Sequence, residues 1–528
     1  MILIALCDMR ELRVDIIESF LKDRGPALSG EVAEHLVKIM HIAPTAARQR
    51  IARVGGQVKK LGYVTFPRKA RFMYLEEQFG SRLYWDSLTK ALLRTNSAYG
   101  LAIAALLQRD GLIPHKQFAI ACGAPVKQAK HLSPETIFRR LNEAGLLELT
   151  TVPSVGECVS LVQSANYYQW RGDDVRARLV TESLLLTAIR DWVRKLGIVS
   201  YETVATREGD KPAMVGTFAW DLTAPSYLGF LTKRSKEGKP KPGFFVCDVH
   251  LGSRMTAESV RPFINKCKTL RQLRNIAPCM QMYVAHHYTA EAFQLLKANG
   301  IIPATPANLF GEEVAQGLVQ LSVVLRQAAS STIDPIQFDA LFKKFGKIEG
   351  AALQLRGTLF EYLSAEIARK TISPQVKMNR IFKSPDGVKS AESDVLAVRE
   401  DTDVTFIECK GYSPYGEVSI TDMKRWLQHN VPVIYSAARA HPDWRRLAIH
   451  FEFWTTAPLS TEAAEMLELA KSTVKPERYT VAVRLSDAIL ATCRLTKDSG
   501  LTTAFEKHFI RHDRKVPPDR DPVDKDMQ

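Results

Sequence analysis

The stretch that decides the fold is "AESDVLAVREDTDVTFIECKGYSP", residues 391–414. It reads as two β-strands joined by an acidic turn, with apolar runs "VLAV" and "VTFI" on either side of "REDTD". Pairing Asp394 with Glu408 puts Leu396 opposite Phe406 and Val398 opposite Val404, around a turn at Asp401. Alternate strand residues share a face, so Lys410 lies on the same face as Glu408. Opposed side chains are roughly 5 Å apart, where two carboxylates repel and one tends to protonate. A hard divalent cation removes that repulsion, and oxygen ligands are what Mg2+ (or Mn2+) prefers. Lys410 beside it positions or helps deprotonate a water, or stabilises charge developing on a phosphate. Gly411 leaves room for a polymer backbone to approach. "VTFIECKG" is apolar on both faces, as a central strand is, which sets it apart from a solvated edge with a chance E-x-K.

Outward from the hairpin, the helix "TLFEYLSAEIARK" (358–370) carries Glu361 in its first turn. There it either adds a carboxylate through water or simply favours the helix dipole. Helix "SITDMKRWLQ", strands "VPVIYSA" and "HFEFWTT", and helix "STEAAEMLELAK" (460–471) follow. Lys424, on the first of these helices, either touches phosphate or, as expected, belongs to a solvated face. A similar series stands earlier. It runs from helix "RLVTESLLLTAIRDWVRKLG" (178–197) through strand-like "IVSYETVAT" and "VGTFAWDLTA", a basic loop at 232–243 and strand "FFVCDVHLG" (244–252). Helix "SVRPFINKCKTLRQL", strand "CMQMYVAHH" and helix "TAEAFQLLKANG" (289–300) complete it. "YTAEAFQLLKA" and "LSTEAAEMLELAK" share a Ser/Thr cap, an acidic first turn and an Ala/Leu face, so an internal duplication is expected. The counterparts of Glu361, Asp394, Glu408 and Lys410 are then Glu182, Asp221, Asp248 and His250. With histidine in the lysine position, this copy is either degenerate or an altered site in which His250 acts as a base or binds a softer metal. His286 and His287 lack a ligand at metal-like spacing and read as structural.

The N-terminal part is organised differently. Amphipathic "LRVDIIESFLKD" (12–23), "LSGEVAEHLVKIM" (28–40) with a Ser29 cap, and basic "APTAARQRIARVGGQVKKLG" (43–62) precede a hairpin "YVTFPRKARFMYL" (63–75). A similar order returns over about 88–162, where Ser133 caps a helix with Pro134 at its first position. Helix, helix, basic helix and hairpin is the order of a winged helix-turn-helix, a module that serves DNA contact or protein–protein contact. Candidate nucleic-acid contacts are Arg48, Arg50, Arg53, Lys59 and Lys60, then Arg68, Lys69 and Arg71 in the hairpin, and Arg139 and Arg140 in the second module.

Composition agrees with a polyanionic partner. The 528 residues hold 72 Lys+Arg against 57 Asp+Glu, a net charge of +15, which favours nucleic acid. Residues 1–150 hold 22 of the basic and 14 of the acidic side chains. Apolar runs are too short for a membrane span, and the opening "MILIAL" lacks a basic leader. The 8 cysteines show neither a CxxC pair nor zinc spacing, as expected of reduced thiols in a cytoplasmic protein.

Asp394, then Glu408-x-Lys410 at the end of the next strand, after a helix carrying Glu361, resembles the PD-(D/E)xK (restriction-endonuclease-like) nuclease superfamily. "AESDVLA...FIECKGY" resembles its restriction-endonuclease and Holliday-junction-resolvase branches. The likeness covers about 355–490 and departs from the pattern in having Ser393 where a proline often precedes the first acid. It implies that Asp394 and Glu408 bind Mg2+, that Lys410 assists the attacking water, and that phosphodiester bonds in DNA are cut. Glu361 matches the family's helix glutamate less closely. The expected chain is multidomain α+β and α/β. It has winged helices at 1–80 and 81–175, a degenerate or altered restriction-endonuclease-like domain at 176–320, a helical connector at 321–354, the catalytic domain at 355–510 and a flexible tail at 511–528. The resemblance extends to modification-dependent restriction enzymes, which implies restriction or anti-phage defence, with DNA as partner and a homodimer or further defence subunits in addition. A non-catalytic DNA-binding regulator with relic nuclease folds, and a structure-specific or RNA nuclease, are the alternatives.

Overall fold

The alternation in 391–414 becomes a hairpin because Leu396, Val404 and Phe406 are buried against Phe451, Phe453 and Trp426. Burying each such side chain contributes about 1.5–3 kcal/mol. A computed structural model describes residues 16–162, 172–234, 240–330, 336–345, 349–413 and 416–510. The chain is a mixed α/β protein with several small sheets and divides into two compact units, Met1–Leu318 and Val319–Gln528. Residues 12–15, part of the lysine-rich loop (235–239), Pro414 and the tail 511–528 lie outside the described residues. No described helix is long and apolar enough to cross a membrane.

The first unit opens with two modules of one pattern. Helix Ile16–Arg24, strand Ala27–Leu28, helices Ser29–Met40 and Pro44–Arg53, then strands Val58–Lys60 and Phe72–Leu75 form the first. Its last strand lies between the other two, antiparallel to both, so the basic helix ends at Arg53 and the hairpin's first strand is Val58–Lys60, within the stretch expected to be helix, and not 63–66. The second repeats that arrangement with helix Ala98–Gln108, strand Leu112–Pro114, helices His115–Cys122 and Pro134–Glu143, and strands Leu147–Val152 and Gly156–Leu161. Ser29 is not a cap as expected: it is already helical, and its hydroxyl accepts the Arg71 N–H at 3.0 Å, tying the helix to the hairpin. A helix absent from the sequence reading, Arg82–Arg94, is capped by Ser81 and buries Tyr84, Leu88 and Leu92.

Each unit then contains one five-stranded sheet. In the first unit the order is 205–206, 222–226, 243–250, 279–285 and 302–304. In the second it is 376–383, 390–399, 403–410, 448–455 and 480–484. The first three strands of each are antiparallel to their neighbours, and the last two add in parallel. The last parallel crossover of each sheet contains a helix capped the same way, Thr289 accepting the Ala292 N–H and Ser460 the Ala463 N–H. Of "IVSYETVAT" only Ala205–Thr206 pairs as strand.

"VPVIYSA" is a helix, Val431–Ala440, and not the expected strand. Helix Ile420–Arg425 runs into it through one π-helical turn, Trp426–Asn430. Pro432 follows directly on the π turn and has no N–H to continue the α-helical ladder there. Burial of Val431, Val433 and Ile434 overrides their strand preference.

Candidate active site in the second unit and its closed counterpart

The hairpin register is the expected one. Val395 pairs with Ile407, Leu396 with Phe406 and Val398 with Val404, so the next step outward sets Asp394 across from Glu408. Asp401 turns the chain with φ 59°. Asp394 Oδ2 accepts the backbone N–H of Cys409 at 2.6 Å. Lys410 Nζ donates to Glu408 Oε1 at 2.7 Å, and Asn430 Nδ2 donates to Glu408 Oε2 at 3.1 Å. Glu361 stands midway along helix Glu349–Thr371 and not in a first turn, which removes the helix-dipole reading, and it acts electrostatically on Asp394. The four predicted residues are thus brought together. Ser393 is buried and bonds the Val395 carbonyl, and Lys424 is exposed as expected.

Burial, then Glu408, then Glu361 push the Asp394 carboxyl well above the usual range. Burial works against the charge on Lys410, but Glu408 and Asp394 outweigh it and hold the ammonium above the ordinary lysine range. Lys410 is therefore a fixed cation at neutral pH, suited to stabilising a phosphate oxygen rather than to taking a proton. Among the described residues no group of three or more His, Cys, Asp and Glu is spaced to enclose a metal ion. The hard oxygens of Asp394 and Glu408 fit a cation of the Mg2+ type, which keeps waters and uses one or two carboxylates. They do not fit a caged ion of the zinc type.

Gly411 does not serve an approaching polymer. A Cβ there would lie 2.6 Å from Phe360 Cβ and 2.9 Å from the Arg356 carbonyl, so the glycine lets helix Glu349–Thr371 pack on the strand end. Asn430 carries no signal in the sequence, because it falls between the expected helix ending at Gln428 and the expected strand starting at Val431, and only the π turn aims it at Glu408.

The first unit builds the same frame and closes it. Leu222 pairs with Cys247, which sets Asp221 across from Asp248, and Asp221 Oδ2 accepts the Val249 N–H at 2.8 Å. Arg207 then spans the acids, donating to Glu182 Oε2 at 3.1 Å and to Asp221 Oδ1 at 3.2 Å. Lys266, fully buried over the Trp220 ring, bonds Asp248 Oδ2 at 2.5 Å. His250 Nδ1 lies 3.5 Å from Glu182 Oε1, and burial pushes the imidazole down to about 4, so it is neutral. A Cβ on Gly252 would lie 2.6 Å from that ring. Gln108 Nε2 bonds both the carbonyl and the hydroxyl of Ser253 at 2.9 Å, tying the second N-terminal module to the loop after His250. Glu182, Asp221, Asp248 and His250 are each 3% exposed or less. They come together as expected, but as a self-neutralised cluster. His286 and His287 lie beside each other with ring centroids 6.2 Å apart.

Of the candidate nucleic-acid contacts, Arg48, Arg53, Arg68 and Lys69 are exposed and make no ion pair among the described residues. Lys59 pairs with Glu76 at 3.2 Å, Lys60 bonds the Ala52 carbonyl, and Arg71 approaches the Gly62 carbonyl. Arg50 lies against Met40 Sδ. Arg139 pairs with Glu143, and Arg140 bonds the Tyr99 hydroxyl at 2.8 Å, which makes Arg140 a packing residue rather than a free contact. The chain matches no protein-family model, no curated protein and no solved structure.

Proposed function

We propose that the chain is a Mg2+- or Mn2+-dependent DNA endonuclease of the PD-(D/E)xK kind, with its centre in the second unit. The observation that carries this reading is the joint geometry of Asp394, Glu408 and Lys410 at the end of one hairpin, with Glu361 beside them. The duplicated N-terminal modules are read as winged helices that hold duplex DNA through Arg48, Arg53, Arg68 and Lys69, in a restriction or anti-phage setting.

In this reading Asp394 and Glu408 would hold the ion, with Glu361 acting on Asp394 electrostatically. When bound, a divalent cation supplies Lewis acidity and a more acidic water. The Cys409 N–H fixes the rotation of Asp394, and Asn430 with Lys410 fixes that of Glu408. Lys410 keeps its proton and places a positive charge where the scissile phosphate gains negative charge. The first unit contributes structure and grip; its sealed cluster favours the non-catalytic reading for that half. Supercoiled plasmid incubated with the full chain and Mg2+ tests the activity. Nicking or linearisation that disappears in Asp394→Asn and Lys410→Ala is expected. Equal cutting by those variants and the wild type overturns the assignment.

A further inference from the structure

The two sheets differ at one cross-strand position. In the first unit Ala205 pairs with Thr223 and Thr206 with Leu222, which sets Arg207 across from Asp221. The Arg207 N–H donates to the Asp221 carbonyl at 2.8 Å in the same step. In the second unit Met378 pairs with Val395 and Arg380 with Ser393, so the position across from Asp394 is Asn379. Asp221 and Asp394 are themselves equivalent, since each accepts the N–H of the residue following the second acid. Arg207 and Asn379 therefore occupy one place in one frame.

Their states are opposite. The Arg207 guanidinium is 3% exposed and bonds both Glu182 and Asp221. Asn379 is 2% exposed, stands in the left-handed region with φ 53°, and its Oδ1 has no hydrogen-bond partner. Buried side-chain acceptors are seldom left unbonded, and non-glycine residues seldom hold a left-handed backbone inside a strand.

We propose that this position decides which half accepts a divalent cation. Arg207 supplies positive charge internally to Glu182 and Asp221 in the first unit, whereas Asn379 leaves Asp394 and Glu408 to an external ion. The proposal rests on the reading of Asp394 and Glu408 as ion-holding residues. It adds that the first unit folds with its own cation in place of a metal.

Calorimetric titration of the full chain with Mn2+ alone, without DNA, tests it, with thermal unfolding as second readout. The wild type is expected to bind one ion per chain and to unfold at higher temperature with Mn2+. Asn379→Arg is expected to bind none and to lose that rise while keeping its circular dichroism. Arg207→Gln is expected to bind two, or, where it does not fold alone, to be refolded by Mn2+. This second arm decides the matter if Asn379→Arg fails to fold. Unchanged Mn2+ binding by folded Asn379→Arg overturns the proposal, as does Arg207→Gln that is folded with one ion or unfolded and not rescued. A wild type that binds no Mn2+ overturns the underlying reading as well, and so separates the two failures.

Discussion

Asp394 accepts the backbone N–H of Cys409, and the same bond joins Asp221 to Val249 in the other half of the chain. One frame thus carries two electrostatic outcomes, three crowded carboxylates with a single lysine in one, and acids matched by Arg207 and Lys266 in the other.

Lys410→Ala and Asp394→Asn should each lower divalent-dependent plasmid cutting by about 10²–10⁴-fold. Retarded migration of duplex DNA should persist, since neither residue belongs to the exposed basic surface. Gel shift and cleavage on the same preparations separate the two.

Asp394→Asn should also stabilise the metal-free protein at neutral pH. The Asp394 carboxyl is raised in the folded state, so its contribution is fully present below the ordinary carboxylate range and is lost as pH rises through the raised value. The gain over wild type should therefore be larger at pH 8 than at pH 4 in thermal melts with chelator. A mutant less stable than wild type at pH 8 counts against the crowded-carboxylate account.

Lys266→Met should destabilise the first unit by about 3–5 kcal/mol, because it strands a buried carboxylate. Burial pushes Asp248 up to about 6 even with Lys266 present. A raised carboxyl favours folding below its unfolded value and loses that advantage through about pH 6. Without Lys266 the carboxyl sits higher still, so the deficit of the variant should grow above about pH 6 and shrink as pH falls towards 6 in urea melts.

Gly411→Ala should cost about 1–3 kcal/mol by overpacking against Phe360 and the Arg356 carbonyl. The same clash displaces the helix bearing Glu361, so cutting should fall with stability. A neutral effect on both would remove the packing role assigned to this glycine.

Arg68→Ala and Lys69→Ala should each weaken duplex binding uniformly across sequences and reduce the salt slope by about one. Arg140→Ala should leave the salt slope alone and lower the melting temperature, because its guanidinium holds Tyr99. Fluorescence anisotropy at several salt concentrations reads both.

Much of the candidate site was legible because strand periodicity fixes register. Leu396, Val398, Val404 and Phe406 admit one pairing, and that pairing aligns the acids. The repeated capped helices at Thr289 and Ser460 likewise announced the shared topology. What stayed hidden depends on tertiary packing. Val431–Ala440 carries strand-favouring residues and becomes helix because a π turn and burial override propensity. Arg207 and Lys266 look like ordinary surface cations in the sequence, and only folding puts them among the acids. Asn379 and Asn430 carry no local pattern at all.

The closed cluster of the first unit has a kinetic corollary. On the proposed nuclease reading, a chain with one open centre makes one incision per encounter, so nicked circles should accumulate before linear product appears. The second incision should then depend on a second chain, and the lag should shorten steeply as protein concentration rises. Time courses at several protein concentrations turn the salt bridge between Arg207 and Asp221 into a measurement of reaction order.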